Sequence, residues 1–315
     1  MAEPRPHPDL RWLLLFHQLP PKPAYLRVKT WRRLQAIGAV ALKNSVYAMP
    51  ESAGALEDLQ WLRREIVEGG GEASIVEAKL LDGVTDAEAR ALFLAARDAD
   101  YAQLAEDARA LDAKADDARG RVAKLRRRFE EIRRIDHFGA EGREVVDGLI
   151  AGIEQKVSGR APAAPEPMGK LNDRVWVTRR GVQVDRIASA WLIRRFIDAK
   201  ARFKFVAPDG YSPRAGEVRF DTFEGEFTHE GDRCTFEVLA LRSGRDDAAL
   251  AALAEIIHDI DLKDGKFGRP EAAGLALAFA GIAAAETSDD ARIDKGATML
   301  DGLYRHLGGR TTDDR

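Results

Sequence analysis

The chain has 315 residues, enough for two domains that each bury a core. Its 49 Lys and Arg against 52 Asp and Glu leave a net charge of −3, which excludes a uniformly basic nucleic-acid coat, so contact with DNA would need a local patch. One cysteine, Cys234, excludes an internal disulfide; the start MAEPRPHPDLRW lacks a signal pattern and no apolar run nears the ~20 residues of a membrane span, so a cytoplasmic protein without a membrane partner is expected.

Residues 11–20 (RWLLLFHQLP) form an apolar run ended by two prolines and read as a buried strand. Leu26, Trp31, Leu34 and Ile37 then give helical spacing from Ala24 to Ile37, with Gly38 as a stop. A strand over Val40–Met49, a helix over Gly54–Val67 and a strand over Ala73–Leu81 complete a βαβαβ order, which fits a ferredoxin-like domain over residues 1–84. From 85 to 157 the chain reads as a basic helical arm. Leu104, Ala108, Leu111, Ala115, Ala118, Val122, Leu125, Phe129 and Ile132 step by four and three, a heptad seam that serves either a dimer-forming coiled coil or packing along the arm's own domain. Residues 158–172, including SGRAPAAPEP, have linker composition.

A second, helix-rich α+β domain is expected over 173–308. Its elements are a strand at Arg174–Thr178 and a helix over Asp185–Asp198 with Asp185 as N-cap. Two short strands over Val218–Phe223 and Glu226–His229 follow, then helices after Thr235, over Ala248–Leu262 and over Ala272–Ala285. The fold class is therefore α+β throughout.

Two segments carry cations at spacings suited to phosphates. One holds Lys29, Arg32 and Arg33 among aromatic residues, the other Lys124, Arg126, Arg127 and Arg128; each is either a DNA contact or a solvated helix face. In the C-terminal half, His229, Cys234, Glu237, His258 and Asp261 are the ligand types of a divalent metal, Zn, Fe or Mn. The bland alternatives are a buried apolar cysteine and a histidine at a helix C-terminus.

The segment RWLLLFHQLPPKPAYLRVKTWRRLQAIGAVALKNSVYAMP resembles the N-terminal domain of the ChrB chromate-resistance family. DRIASAWLIRRFID, FTHEGDRCTFE and IHDIDLKDGKFGRPEA resemble that family's C-terminal domain. The first domain also looks like the ferredoxin-like module of PaaX-type repressors and of small CRISPR-associated nucleases; where those nucleases place a metal-binding carboxylate, this chain has Phe16-His17-Gln18. The family resemblance implies a chromate-responsive transcriptional regulator of an efflux operon, with operator DNA and chromate as partners. Chromate is a tetrahedral dianion, and the Arg179-Arg180-Gly181 loop ahead of a helix opened by Arg186, together with His229, is an expected cradle for it; the alternative is that these arginines pair with the domain's own acids. The rival functional reading is a metalloenzyme, an oxidoreductase or hydrolase, working at the C-terminal His/Cys/Glu/Asp cluster.

Overall fold

A computed structural model describes residues 10–22, 24–159, 171–207 and 211–309. The expected linker over 158–172 lies, from 160 to 170, outside the described residues. The chain divides into two compact units, residues 1–101 with 130–141 and residues 102–129 with 142–315.

The first unit is built on β1 (Trp12–Gln18), α1 (Ala24–Ala36), β2 (Val40–Lys43), β3 (Val46–Pro50), α2 (Ala53–Glu68) and β4 (Glu72–Ala78). The four strands form one antiparallel sheet in the order β2-β3-β1-β4, the split βαβ arrangement of a ferredoxin-like fold. The single strand expected over Val40–Met49 is a hairpin, because Asn44 and Ser45 reverse the chain and bring Lys43 opposite Val46. Four consecutive residues of β1 are buried, since the central strand is covered on both faces. Leu13 and Leu15 pack with Leu34 of α1 and with Leu59, Leu62 and Ile66 of α2. Trp12 and Leu14 point the other way, onto Ala89 and Phe93 of α3 (Asp86–Arg109). Trp12 also donates its indole N–H to Asp86 at 2.7 Å. Ser52 caps α2 by accepting the N–H of Ala55 at 3.1 Å.

The heptad helix is not continuous: α3 stops at Arg109 and α4 (Ala118–Arg134) restarts nine residues later. Asp112 accepts the N–H of Lys114 at 2.9 Å, a local side-chain bond that competes with helix propagation. The seam residues Leu104, Ala108, Leu111, Ala118, Val122, Phe129 and Ile132 are buried within the chain. Ala115 and Leu125 are the half-buried positions of the seam.

The second unit adds α5 (Gly142–Val157) and a three-stranded parallel sheet of β5 (Val175–Arg179), β6 (Arg202–Val206) and β7 (Glu217–Arg219), with β5 central. Around it lie α6 (Val184–Leu192), α7 (Thr235–Arg242), α8 (Ala248–Asp261), α9 (Glu271–Ala285) and α10 (Asp289–His306). The helix expected over Asp185–Asp198 is α6 followed by a π-helical turn, Ile193–Ile197. The second expected short strand, Glu226–His229, is reduced to an isolated bridge at Phe227. Its core joins Trp176, Trp191, Phe220, Phe236, Leu253, Ile257 and Tyr304, so every element of the sheet and most helices contribute an apolar face. No described helix is long and apolar enough to cross a membrane.

Candidate functional site

The C-terminal end of β5, the first turn of α6, the segment after β7 and the N-terminus of α7 bring charged side chains to one buried place in the second unit. Asp185 does not cap its own helix, whose N-cap is Gln183. Instead its two carboxylate oxygens accept the N–H groups of Thr235 and Phe236 at 3.0 and 2.9 Å, capping α7. Asp221 has a positive φ of 45°, a conformation that costs a non-glycine residue energy and is held by its partners. It forms an ion pair with Arg186 at 2.9 Å and accepts the Thr235 hydroxyl at 3.0 Å. His229 lies 3.0 Å by Nε2 from Asp261 at the end of α8 and 3.6 Å by Nδ1 from Asp221. Arg179 pairs with Glu144 of α5 at 3.1 Å, both buried.

The His229 loop reaches this position because α5 offers glycines to it. A Cβ on Gly148 would meet His229 Cβ at 3.0 Å, and one on Gly152 would meet Gly231 Cα at 2.7 Å. Glycine at both positions lets two backbones touch.

Four buried or half-buried carboxylates, Glu144, Asp185, Asp221 and Asp261, thus face two guanidinium groups and one imidazole. Burial, reinforced by the charges of Asp261 and Asp221, raises Asp185 well above the usual carboxylate range. Burial also raises Glu144, against the pull of Arg179. Burial alone would raise Asp221 too, but Arg186, His229 and Arg179 hold it below the ordinary value. For His229, burial would lower the pKa, yet Asp261, Asp221 and Asp185 push it up to about 9. One oxygen from Asp185, one from Asp261 and one ring nitrogen of His229 lie within 4.8 Å of one another, a spacing compatible with sharing a cation.

A second histidine centre forms separately. His258, fully buried on α8, has Nδ1 2.6 Å from Glu237 of α7 and Nε2 3.2 Å from Asp264. With Asp259 it makes a second possible donor group. The five expected metal ligands are therefore divided: His229 and Asp261 stand with Asp185, while Glu237 and His258 stand with Asp264. Cys234 belongs to neither donor group. It is wholly buried in the core, where burial and the nearby carboxylates push its thiol well above the usual value.

The expected oxyanion residues also separate. Arg179, Arg186 and His229 each face a carboxylate of the buried cluster. Arg180 is exposed, its Nε donating to the carbonyl of Phe205 at 3.4 Å. The backbone N–H groups of Gly181 and Val182, the heart of the expected cradle, both donate to Asp289 of α10, at 3.0 and 2.8 Å. An internal carboxylate holds the anion position of that loop. Arg194 and Arg195 pair with Asp294 and Asp301, as two residues well inside a helix would.

The expected DNA residues fall in both units. On α1, Lys29, Arg32 and Arg33 are exposed, with Lys29 3.5 Å from Glu65. On α4, Lys124 and Arg127 are exposed and so is Arg128, whereas Arg126 binds Glu154 at 3.0 Å and Asp147 at 2.5 Å, both on α5.

Asp221, Glu144, Thr235, Asp264 and Asp289 were not expected from sequence. Each lies in an ordinary acidic or polar context there, and Asp185 carried a capping signal that pointed to the wrong helix.

A family model described as "Protein ChrB, N-terminal" matches residues 27–118, and one described as "ChrB, C-terminal domain" matches residues 176–307. The chain is similar to the Protein ChrB of Cupriavidus metallidurans, 33% identical over 318 residues that cover 95% of this chain and 96% of that protein. No solved structure matches it. With both halves matched and nearly full-length identity above 30%, the chain belongs to the ChrB family, which is associated with chromate resistance.

Proposed function

We propose that this ChrB-family protein is a cytoplasmic, chromate-responsive transcriptional regulator whose second unit senses the oxyanion through a divalent cation. The observation that carries the sensing half is the donor set at His229: one oxygen of Asp185, one of Asp261 and one His229 ring nitrogen lie within 4.8 Å of one another at a buried place. A naked dianion there would have to displace the carboxylates that Arg179 and Arg186 already face. A divalent cation held by His229, Asp185 and Asp261 would supply an electrophile there, and an open coordination position then takes an oxygen of chromate. Zn, Fe and Mn suit the imidazole and carboxylate donors.

The DNA half rests on α1. Its exposed Lys29, Arg32 and Arg33 offer phosphate contacts and counterion release. The test is operator binding followed by fluorescence anisotropy while chromate or sulfate is titrated into metal-loaded protein. Chromate is expected to change occupancy of the operator, and His229→Ala or Asp261→Asn to abolish the change and lower the bound metal. An unaltered chromate response in both variants overturns the sensing site.

A second reading, a metalloenzyme, is favoured by one observation: a carboxyl raised well above its normal range, Asp185, beside a histidine raised to about 9, a pair of groups with inverted proton affinities. Consumption of chromate by metal-loaded protein, followed optically, would select it.

A further inference from the structure

A cavity of the first unit lies where β1 ends and α1 begins. It holds about 570 Å³ and is lined by His17, Arg27, Trp31, Asn44, Ser45 and Tyr47, with apolar side chains of α1 at its back. The alternation along β1 places His17 on the same face as Leu13 and Leu15, but one step beyond the core those two form, so its ring lines the cavity. Both ring nitrogens are buried from solvent and neither has a hydrogen-bond partner among the described residues. An unpaired buried donor and acceptor are costly, and a ligand that satisfies them recovers that cost. The ring is stacked on Tyr47, centroids 5.6 Å apart and planes 22° apart. Trp31 is half exposed at the same cavity.

We infer that this cavity binds a nucleotide unit, its base stacked among Trp31, Tyr47 and His17 and read by the His17 ring and Asn44, its phosphate at Arg27. Aromatic platforms combined with cations are the general means of holding unstacked bases, and each base face is equally suited to them. Burial lowers His17 from its usual value, so near neutral pH the ring keeps one donor and one acceptor, the pattern found on a base edge. A volume of this size accommodates a base with its sugar, and the hairpin turn at Asn44 and Ser45 supplies an amide and a hydroxyl at one wall. The ligand has two sources, a free nucleotide or an unpaired base in a strand. The inference goes beyond the contact of α1 with duplex phosphates and does not depend on it.

Calorimetric titration of the full-length protein with adenylate, cytidylate and a short single-stranded oligothymidylate tests it, with blunt operator duplex measured in parallel. At least one of the three probes is expected to bind saturably. His17→Phe, which keeps a ring against Tyr47 but removes both nitrogens, and Asn44→Ala, on an exposed turn, are each expected to weaken binding by roughly fivefold or more. Comparable affinity for mononucleotide and strand identifies a free nucleotide, and much tighter strand binding identifies nucleic acid. Absence of saturable binding by all three probes overturns the inference, as does wild-type affinity in both variants. Duplex binding without probe binding removes the pocket and keeps the α1 contact; probe binding without duplex binding does the reverse.

Discussion

Helices α1 and α4 look alike in sequence, each a short run of arginines and lysines with few acids between them, yet the structure uses their charges differently. On α1, Arg32 and Arg33 are exposed and make no ion pair among the described residues. On α4, Arg126 is committed to Asp147 and Glu154, and it lies 5.5 Å over the ring of Phe129. A cation run is thus a candidate partner surface only where the fold supplies no acid opposite it. The same contrast holds between the first unit's outward cations and the second unit's Arg179 and Arg186, which are buried against carboxylates.

The largest effect is expected where charge is buried and paired. Arg186→Ala leaves Asp221 without its guanidinium in a site that is 5% exposed, and should cost about 3–5 kcal/mol in urea unfolding. Wild-type stability would show that water reaches Asp221.

Next in size is the close approach that positions His229. Gly152→Ala puts a methyl 2.7 Å from Gly231 Cα, and displacement of the loop should cost about 1–3 kcal/mol together with weaker metal uptake. Retained metal affinity would mean that α5 does not set the loop.

The two basic helices are then compared directly. Arg126→Ala should cost about 1 kcal/mol of stability and leave the salt dependence of DNA binding unchanged. The double variant Arg32→Ala, Arg33→Ala should stay within about 0.5 kcal/mol of wild-type stability while flattening the slope of log affinity against log salt by roughly 2. A flattened slope in the Arg126 variant alone would reverse the assignment.

The smallest effect concerns acid. Glu217 is held at about 2 by Lys204 and Tyr211 and by the N–H of Arg214. Since its folded value lies below its ordinary 4.5, its contribution is full above that pH and is lost as pH falls toward about 2. The advantage of wild type over Glu217→Gln in thermal melting should therefore be present at pH 6 and largely lost by pH 2.

Legibility in the sequence followed how local the cause was. Continuous burial of Trp12 to Leu15 and the helical span over 54–67 are set by neighbouring residues, and they were readable. The hairpin at Asn44-Ser45 and the break before Ala118 were not, because short polar side chains turn the chain there without proline or glycine.

By itself, then, the sequence determined the α+β class, the ferredoxin-like first unit, the ligand-type residues His229, His258 and Asp261, and the family. Only the tertiary structure decided which of those residues meet. Partnership depends on distance between elements far apart in the chain: Asp185 caps α7 and not α6, Asp289 fills the Gly181 loop, and one expected cluster of five ligands becomes two histidine centres. Side-chain chemistry is written locally, but the charge that faces it is supplied by packing.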